Sequence, residues 1–407
     1  MRVLYALDSY NPNIDGVAVS HERIAQKLAR RGHSVAVVAP ARRMADYFET
    51  VDGLPVYRVR SLRVLSDRWR VPLLPLGGVR RALWDFQPDI VVISLPFILS
   101  RAALRAAQAE DVPTVGVTGT MPEWLTANLP LPRDLAERAE PAVWRAIAAY
   151  YERCDAVVGV TDTALALLRQ HGLTKPGAVI SNGVSLRRFR PRERDDALAA
   201  RLGIDLAPTV LYTGRLDAEK GLDVWLRAVA RSRDLGVEPQ ALIVGNGSEK
   251  KRLGRLAVEL GIQGHTRLVG FLPQADYERV FSLADVFAIA STAELQSIVT
   301  LEAAASGLPL VAADAGALPE LAREGYNGYL FPPGDPETMA RRLAQLLGDP
   351  DEAKRMGRRS RLVALHHDIE LTASSYESLF RELAGRRAGH PRSRRHGAGR
   401  EESSVVG

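Results

Sequence analysis

The fold of this chain is decided by residues 284–314, which read ADVFAIASTAELQSIVTLEAAASGLPLVAAD. A first apolar run is followed by the polar loop Thr292–Gln296. The pattern then predicts a helix over Ser297–Ser306, ended by Gly307, before a second apolar strand begins at Leu308. A strand, a helix and a second strand in so short a stretch form one βαβ unit, which is typical of a buried parallel sheet.

The same alternation extends along most of the chain. In the first half, helices are predicted over Gly16–Arg31 and near Ser100–Glu110, between apolar strands at 2–7, 34–39, 89–94, 114–117 and 156–160. After the basic stretch Leu186–Asp196 the pattern restarts, with strands predicted at 209–212, 240–244, 266–269, 286–290 and 308–312. The simplest architecture is two doubly wound, Rossmann-like α/β domains that face each other across a ligand-binding cleft.

This pattern predicts domains over residues 1–185 and 186–365. The linker is expected at Asn182–Pro191, where Gly183 can absorb a hinge motion. A helix over about 366–385 is expected to pack back on the first domain. The tail 386–407 is rich in Arg, Gly, His and Ser, and we expect it to be disordered because it has little apolar surface to bury.

Composition excludes several classes of protein. The tail holds six arginines and two glutamates, so it supplies +4 of the formal net charge of +6, and the rest of the chain is too weakly basic to indicate nucleic-acid binding. The single cysteine, Cys154, allows no disulfide within the chain and is interpreted as a core thiol, which favours a cytoplasmic protein. No apolar run is long enough to span a membrane. The acids at Asp349 and Asp351 are interpreted as a helix cap, so no metal site is predicted.

Two acids bracket the start of the helix in the quoted segment. The N–H groups near Gln296, Ser297 and Ile298 carry partial positive charge and suit a phosphate. A carboxylate about 6 Å from a phosphate is repelled by roughly 3 kcal/mol at an effective dielectric near 20. Glu294 and Glu302 are therefore expected to accept hydrogen bonds from sugar hydroxyls, worth about 1.5–3 kcal/mol each. The alternative is that they are an ordinary helix-start acid and an exposed helix acid.

Two glycine-containing loops follow strands on the same side of the predicted sheet. In YTGRLDAEKGLD (212–223), Gly214 permits close approach, while Arg215 and Lys220 are cations that could neutralise a diphosphate without a metal. In VGNGS (244–248), Gly245 could admit a nucleotide close to the backbone. A dinucleotide fingerprint would need a third glycine at position 250, which is lysine, so NAD binding loses support.

Together these segments resemble glycosyltransferase family 4, the retaining transferases of GT-B architecture. Glu294 and Glu302 match the E-x7-E motif of that family, and GRLDAEKG (214–221) resembles its phosphate-binding loop. Three further segments resemble the interdomain signature, the stretch after the donor helix and the N-terminal glycine loop: VISNGVSLRRFRP (179–191), GALPELAREGYNGYLFPPG (316–334) and DSYNPNIDGVAVS (8–20). The resemblance covers nearly the whole chain except the tail.

The resemblance implies a role for each matching residue. The substrate would be a UDP- or GDP-linked hexose, with no cofactor and no metal. Glu302 would hold the ribose, and Glu294 would hold the sugar hydroxyls with help from the backbone near Gln296–Ile298. Arg215 and Lys220 would bind the diphosphate, which the loop at Gly16 would approach. The catalytic residues would be Glu294, Arg215 and Lys220, and the anomeric configuration would be retained.

One position departs from the pattern of the family. Many relatives carry an Asn-His pair where this chain reads Thr118-Gly119, and that histidine faces the reacting sugar. A lost polar contact costs about 1–3 kcal/mol, or roughly one to two powers of ten in rate. Thr118 or Thr120 is the candidate substitute on the acceptor side. A catalytically weakened homologue therefore stays an alternative.

The acceptor side shows similarity to lipid glycosyltransferases. TMPEWLTANLPLP (120–132) and ELQSIVTLEAAASG (294–307) resemble relatives that act on diacylglycerol-type lipids. The segment 58–81 holds seven arginines and one aspartate, together with Trp69 and several leucines. Such a stretch could bind an anionic membrane surface at the cytoplasmic face, although a solvated loop in an arginine-biased protein is the alternative.

Three functions remain open from the sequence alone. The first is a retaining hexosyltransferase with a lipid or sugar acceptor. The second is a nucleotide-sugar 2-epimerase, for which no suitable histidine or acid pair is evident in the first half. The third is a non-catalytic nucleotide-sugar binder, motivated by Gly119.

Overall fold

The computed structural model of the chain describes residues 1–11, 16–64, 70–119 and 133–388. Its strands form two separate parallel sheets, one in each half of the chain, and one small hairpin. The prediction of two α/β domains is therefore confirmed.

The first sheet has eight strands. The strands of this half are β1 (Arg2–Ala6), β2 (Ser34–Pro40), β3 (Tyr47–Val51), β4 (Leu54–Val59), β5 (Ser61–Arg63), β6 (Arg70–Pro72), β7 (Ile90–Ile93), β8 (Thr114–Thr118), β9 (Ala156–Gly159) and β10 (Gly177–Val179). Their order in the sheet is β10-β9-β8-β7-β1-β2-β4-β3, with only β3 antiparallel to its neighbour, while β5 pairs with β6 outside the sheet. The order in which the chain adds parallel strands to the sheet reverses at β1, which lies between β7 and β2.

The second sheet has six strands, all parallel. They are β11 (Thr209–Thr213), β12 (Gln240–Val244), β13 (Thr266–Gly270), β14 (Val286–Ile289), β15 (Leu310–Ala313) and β16 (Gly328–Phe331). Their order is β13-β12-β11-β14-β15-β16, so the strand order reverses between β11 and β14. Crevices that bind ligands form beyond such a reversal because the loops leave the sheet in opposite directions there.

Helices cover both sheets. In chain order they are α1 (Gly16–Arg30), α2 (Pro75–Phe86), α3 (Ile98–Ala109), α4 (Arg133–Tyr151), α5 (Asp162–Gln170), α6 (Asp196–Leu202), α7 (Leu222–Arg231), α8 (Lys250–Glu259), α9 (Gln274–Arg279), α10 (Ile298–Ala305), α11 (Leu318–Leu321), α12 (Pro336–Gly348), α13 (Pro350–Leu365) and α14 (Ile369–Ala388). The central strands are buried completely because helices cover both faces of each sheet.

Several strands at or next to the sheet edges were not predicted from the sequence. In the hairpin of β3 and β4, the side chains of β3 alternate between partly buried and exposed and those of β4 mostly between buried and partly buried, which is a weaker pattern than the continuous apolar runs of the centre. Arg58 lies in β4 and is only 3% exposed. Its guanidinium pairs with Glu49 at 2.7 Å and donates to the carbonyl of Asn11 at 2.7 Å. The prediction that residues 58–81 form one surface segment is therefore wrong at Arg58.

The last helix joins the two halves. Ala373, Tyr376 and Phe380 of α14 lie in the same buried cluster as the first sheet. Glu370 of α14 accepts ion pairs from Arg31 at 2.9 Å and from Lys27, both near the end of α1. The helix continues to Ala388, three residues into the predicted tail, and residues 389–407 lie outside the described residues.

Two chain segments cross between the domains beside Gly183. Val184 pairs with Asp368 in a parallel bridge. Gly183 has φ +76°, and a Cβ there would lie 2.7 Å from Oγ1 of Thr372, so only glycine fits this crossing. The imidazole Nδ1 of His367 lies 2.9 Å from the Ser181 hydroxyl at the same place. We call the segments 181–184 and 366–372 the hinge.

Two minor interpretations are confirmed. Cys154 is fully buried, and burial raises the pKa of its thiol to about 12, as expected for a core residue. Asp349 accepts a hydrogen bond from the Glu352 backbone N–H at 2.9 Å and caps α13.

Candidate active site

A cleft of about 1500 Å³ lies between the carboxyl edges of the two sheets. The wall formed by the second domain, which we call the C-terminal wall, is built by the loops after β11, β12 and β14 and by the start of α10. The wall formed by the first domain, which we call the N-terminal wall, is built by α1, the loop after β7 and the end of β8. Every candidate residue of the sequence analysis except Thr118 and Thr120 lines this cleft.

Glu294 and Lys220 meet on the C-terminal wall. The Lys220 ammonium lies 2.7 Å from Oε1 of Glu294, and both side chains are largely buried. They come together because the loops after β11 and β14 leave neighbouring strands at the strand-order reversal. The pair places a cation and a carboxylate next to the N-terminus of α10.

Arg215 is held by two acids of its own loop. It pairs with Glu219 at 2.6 Å and also with Asp217. Asp217 in turn accepts hydrogen bonds from the backbone and hydroxyl of Ser248, in the loop after β12, at 3.1 and 3.0 Å. The acids orient the guanidinium, because its planar fork can bind two carboxylates at once.

Glu302 lies on α10 and is 1% exposed. Its Oε2 accepts a hydrogen bond from the Tyr277 hydroxyl at 2.6 Å, and its Oε1 lies 2.8 Å from Nη2 of Arg23. The expectation of an exposed helix acid is therefore excluded. Neither partner was found from the sequence: Tyr277 carries no motif, and Arg23 is one of many arginines on predicted helices.

The start of α10 is capped within the chain. Ser297 is the N-cap, and its hydroxyl accepts from the Thr300 backbone N–H at 3.3 Å. Ile298 begins the helix. The carboxamide oxygen of Gln296 accepts hydrogen bonds from the Asn182 N–H at 2.7 Å and the Ser181 hydroxyl at 3.2 Å. The side chain of Gln296 thus binds the hinge, which leaves its backbone on the cleft side as its contribution to an anion site.

Three predicted glycines line the cleft where chains approach closely. Gly245 has φ +143°, and a Cβ there would lie 1.8 Å from the carbonyl oxygen of Gly214, so the loops after β11 and β12 touch backbone to backbone. Gly214 itself has φ +141°. Gly16 starts α1 from the opposite wall, where an added Cβ would lie 4.0 Å from Cδ1 of Ile298. The start of α1 therefore lies next to the start of α10.

The acceptor-side candidates separate in the structure. Gly119 lines the cleft, and a Cβ there would meet only Cγ2 of Val17 at 3.5 Å. The Thr118 side chain is buried and hydrogen-bonds to Tyr151, so it supports the sheet and does not face the cleft. Thr120, together with the rest of the segment 120–132, lies outside the described residues.

The N-terminal wall also carries titratable groups that the sequence analysis did not select. Asp8 follows β1 and accepts from the N–H groups of Leu99 and Ser100 at 2.8 and 3.2 Å, yet burial raises its pKa to about 6. Burial and a hydrogen bond to Asp52 raise the pKa of Glu22, which lies on α1, to about 7. Nδ1 of His21 lies 2.8 Å from the carbonyl oxygen of Val17. Because a carbonyl oxygen can only accept, Nδ1 is the donor. No suitable histidine or acid pair was evident from the sequence of the first half, but Asp8, His21 and Glu22 line the cleft in the structure.

The family comparisons cover both halves of the chain. A family model described as "Glyco_transf_4: Glycosyltransferase Family 4" matches residues 14–188. A second, described as "Glycosyl transferases group 1", matches residues 196–363.

Curated relatives match over most of their length. The chain is 30% identical to a GDP-mannose-dependent alpha-mannosyltransferase of Mycobacterium tuberculosis, over 82% of this chain and 85% of the relative. It is 37% identical to a D-inositol 3-phosphate glycosyltransferase of Saccharomonospora viridis, over 90% of this chain and 89% of the relative.

Solved structures share the fold. A sucrose-phosphate synthase from Thermosynechococcus elongatus matches with a TM-score of 0.76 and 21% identity, over 95% of this chain and 99% of the other. Anabaena Alr3699/HepE, solved in complex with UDP-glucose, matches with a TM-score of 0.74 and 20% identity, over 93% of this chain and 99% of the other.

Proposed function

This chain belongs to glycosyltransferase family 4, and we propose that it is a retaining, metal-independent transferase that moves a hexose from a nucleotide sugar to a lipid or sugar acceptor. One observation carries the proposal: Glu294 and Glu302 flank the N-terminus of α10 inside the cleft, with Lys220 against the first of them. An acid pair divided by an anion-binding helix end suits a ligand whose central diphosphate lies between two sets of hydroxyls.

Each group on the C-terminal wall then has one task in donor binding. The carboxylate of Glu302 accepts hydrogen bonds from the ribose hydroxyls. Lys220, Arg215 and the N–H groups at the start of α10 neutralise the diphosphate as negative charge develops on the leaving group. Glu294 accepts from hydroxyls of the hexose, and its contact with Lys220 fixes the position of its carboxylate.

Retention follows from attack on the face that the diphosphate leaves. In this mechanism the leaving phosphate oxygen takes the proton of the acceptor hydroxyl, while the new glycosidic bond forms and the sugar–phosphate bond breaks. Lys220 is the group best placed to stabilise the leaving oxygen, because it stands at the end of the pocket that holds the sugar-side acid. No protein nucleophile is required.

The donor is a UDP- or GDP-linked hexose. GDP-mannose appears in the name of one relative and UDP-glucose in one structural neighbour, so both bases are tested. Saturating donor at about 100 Kd stabilises the folded protein by about 2.7 kcal/mol, which raises its melting temperature. A thermal-shift panel with UDP-glucose, UDP-galactose, GDP-mannose and GDP-glucose therefore identifies the base and the sugar.

Glu302→Ala should abolish that thermal shift, because the ribose loses its acceptor. Glu259→Ala, an exposed acid at the end of α8, is the matched control and should keep the shift. An undiminished shift in Glu302→Ala would remove the ribose assignment.

Donor turnover distinguishes the transferase from its two alternatives. A transferase releases free hexose slowly from its donor in the absence of acceptor, whereas a pure binding protein releases none. An epimerase converts the nucleotide sugar without releasing the sugar, and Asp8, Glu22 and His21 in the cleft make this test worthwhile. Product analysis by mass spectrometry and NMR separates the three outcomes and reads the anomeric configuration directly.

The acceptor is proposed to arrive from an anionic membrane surface at the cytoplasmic side. Leu74 and Trp84, 80% and 78% exposed, lie beside exposed arginines at positions 63, 80 and 81. Amphipathic surfaces of this kind bind anionic lipid through apolar insertion and charge attraction. In the part of the chain that the structure describes, no helix is long and apolar enough to cross a bilayer.

Sedimentation with vesicles tests this surface. The protein should co-sediment with phosphatidylglycerol vesicles at low salt and not with phosphatidylcholine vesicles, and Trp84→Ala should weaken the binding. Leu206→Ala, an equally exposed apolar residue on the second domain, is the control. If the protein does not co-sediment with the anionic vesicles, the proposed membrane binding is wrong.

A further inference from the structure

Arg23 reaches from one domain into the donor pocket of the other. It lies on α1 of the first domain, and its guanidinium Nη2 lies 2.8 Å from Oε1 of Glu302, on α10 of the second domain. Its position is fixed on a second side by Phe189, whose ring centroid lies 6.0 Å from the guanidinium carbon. The ion pair therefore bridges the two walls at the end of the cleft where Glu302 lies.

Burial makes this contact electrostatically important. Glu302 is 1% exposed, and its other close partner, the Tyr277 hydroxyl, is neutral. A buried carboxylate without a counter-charge is costly, so such groups in proteins are paired. Arg23, whose side chain is 22% exposed, supplies the compensating charge, and it comes from the opposite domain.

The two partners leave acceptor capacity on the carboxylate. An ionised carboxylate offers about four acceptor positions, two on each oxygen. Tyr277 uses one position on Oε2, and Arg23 faces Oε1. Two positions remain, one on each oxygen, which is what a vicinal diol needs. Arg23 and Tyr277 together also fix the plane of the carboxylate before the diol arrives.

We propose that Arg23 is a positioning residue for the donor, which orients Glu302 so that the ribose site is complete only when the first domain is closed against the second. The inference rests on the proposed donor role of Glu302. It makes the affinity for the nucleotide, and its preference for a ribose with both hydroxyls, depend on a residue of the domain that does not carry the donor motifs.

The experiment measures the dissociation constants of UDP, GDP and their 2′-deoxy counterparts by titration calorimetry. Arg23→Ala should weaken binding of the preferred ribonucleotide roughly tenfold or more, which is the loss of one charge-assisted interaction. It should also reduce the preference for the ribonucleotide over the 2′-deoxynucleotide toward one. Arg23→Lys should keep part of the wild-type affinity and part of the preference for the ribonucleotide. Arg30→Ala, which changes an exposed arginine on the same helix, should keep both in full.

A double-mutant cycle with Glu302→Gln separates positioning from a general structural role. If Arg23 acts through Glu302, Arg23→Ala should have little further effect in the Glu302→Gln background, where no buried carboxylate is left without its partner. That double variant also serves if Arg23→Ala alone is too unstable to study. A purely structural role would weaken both nucleotide types equally and leave the sugar preference unchanged.

The outcomes are distinguishable. Glu302→Gln with unchanged nucleotide affinity would overturn the proposed function of Glu302 itself. Weakened binding in Glu302→Gln but wild-type affinity and sugar preference in Arg23→Ala would overturn only the role of Arg23, as would equal losses from Arg23→Ala in both backgrounds.

Discussion

The two walls of the cleft hold their side chains in different ways. On the C-terminal wall the charges are paired with one another: Lys220 with Glu294, and Arg215 with Asp217 and Glu219. On the N-terminal wall the loop after β7 and the end of β8 present mainly apolar groups and one glycine, among them Leu95, Phe97, Ile98, Val117 and Gly119.

This difference indicates a division of labour. Paired charges in a largely buried site are preorganised, so they stabilise developing charge without costly rearrangement. The part of the N-terminal wall after β7 and β8 is apolar, and such a surface can select a partner by shape and apolar area. We therefore expect donor binding to depend mainly on the second domain and the choice of acceptor on the first. The ion pair between Arg23 and Glu302 is the exception that joins them.

The largest effect is expected at the charged wall. Lys220→Ala removes the cation beside Glu294 and leaves that largely buried carboxylate without its partner. Donor turnover should fall by about 10²–10³-fold, as when one preorganised donor is lost at other active sites. Release of hexose from the preferred nucleotide sugar measures it. Lys251→Ala, exposed on α8, should be as active as wild type, and a fall below threefold in Lys220→Ala would contradict this role.

The next effect tests the close backbone approach on the same wall. In Gly245→Ala the new methyl group would lie 1.8 Å from the carbonyl oxygen of Gly214, at φ +143°, so the two loops must separate. We expect a loss of about 1–3 kcal/mol in the free energy of unfolding, together with weaker nucleotide binding. Chemical denaturation and calorimetry measure the two quantities. Gly264→Ala has open space around its Cβ and should change neither.

A smaller and more selective effect is expected on the apolar wall. Gly119→Leu adds a side chain to the cleft beside Val17, so transfer of labelled hexose to acceptors in a lipid extract should fall about tenfold, or roughly 1.4 kcal/mol. Nucleotide affinity should stay within twofold because the donor lies on the other wall. Gly119→Ala is the control, since its methyl group would make only an ordinary contact at 3.5 Å. Equal losses of transfer and of nucleotide affinity would break the proposed division of labour.

The smallest effect concerns the hinge that sets how the walls meet. Burial, followed by the charges of His366 and Arg323, lowers the pKa of His367, against an opposing influence of Glu320. The folded state therefore resists protonation, so its stability is fully present above about pH 6.5 and is lost as the pH falls through the lowered pKa. Between pH 8 and pH 5 the melting temperature should fall more in wild type than in His367→Gln, by no more than about 2–4 °C.

The comparison at the hinge has its own control. His265→Gln, in the turn before β13, should follow the pH dependence of the wild type. If the melting temperature depends on pH equally in wild type and His367→Gln, the hinge histidine does not contribute to the pH dependence of stability.

The central strands and the donor motifs were predictable because their signals are local. The continuous apolar runs of β1, β12 and β14 can only be buried in a parallel sheet, and the capped helix after β14 follows from a few neighbouring residues. The spacing of Glu294 and Glu302 and the lysine at position 220 were visible for the same reason. The edge strands β3 and β16, and β4 next to an edge, were missed because their weaker patterns depend on the neighbouring strand.

The sequence by itself therefore determined the two α/β units, their order and the residues that each donor loop contributes. Only the tertiary structure decided which charges become partners. Arg23 pairs with Glu302 across the cleft, Arg58 is buried against Glu49, and Thr118 turns into the core while Gly119 lines the cleft. The reason is physical: periodicity encodes which face of an element is buried, but an ion pair between distant segments depends on how whole sheets are placed.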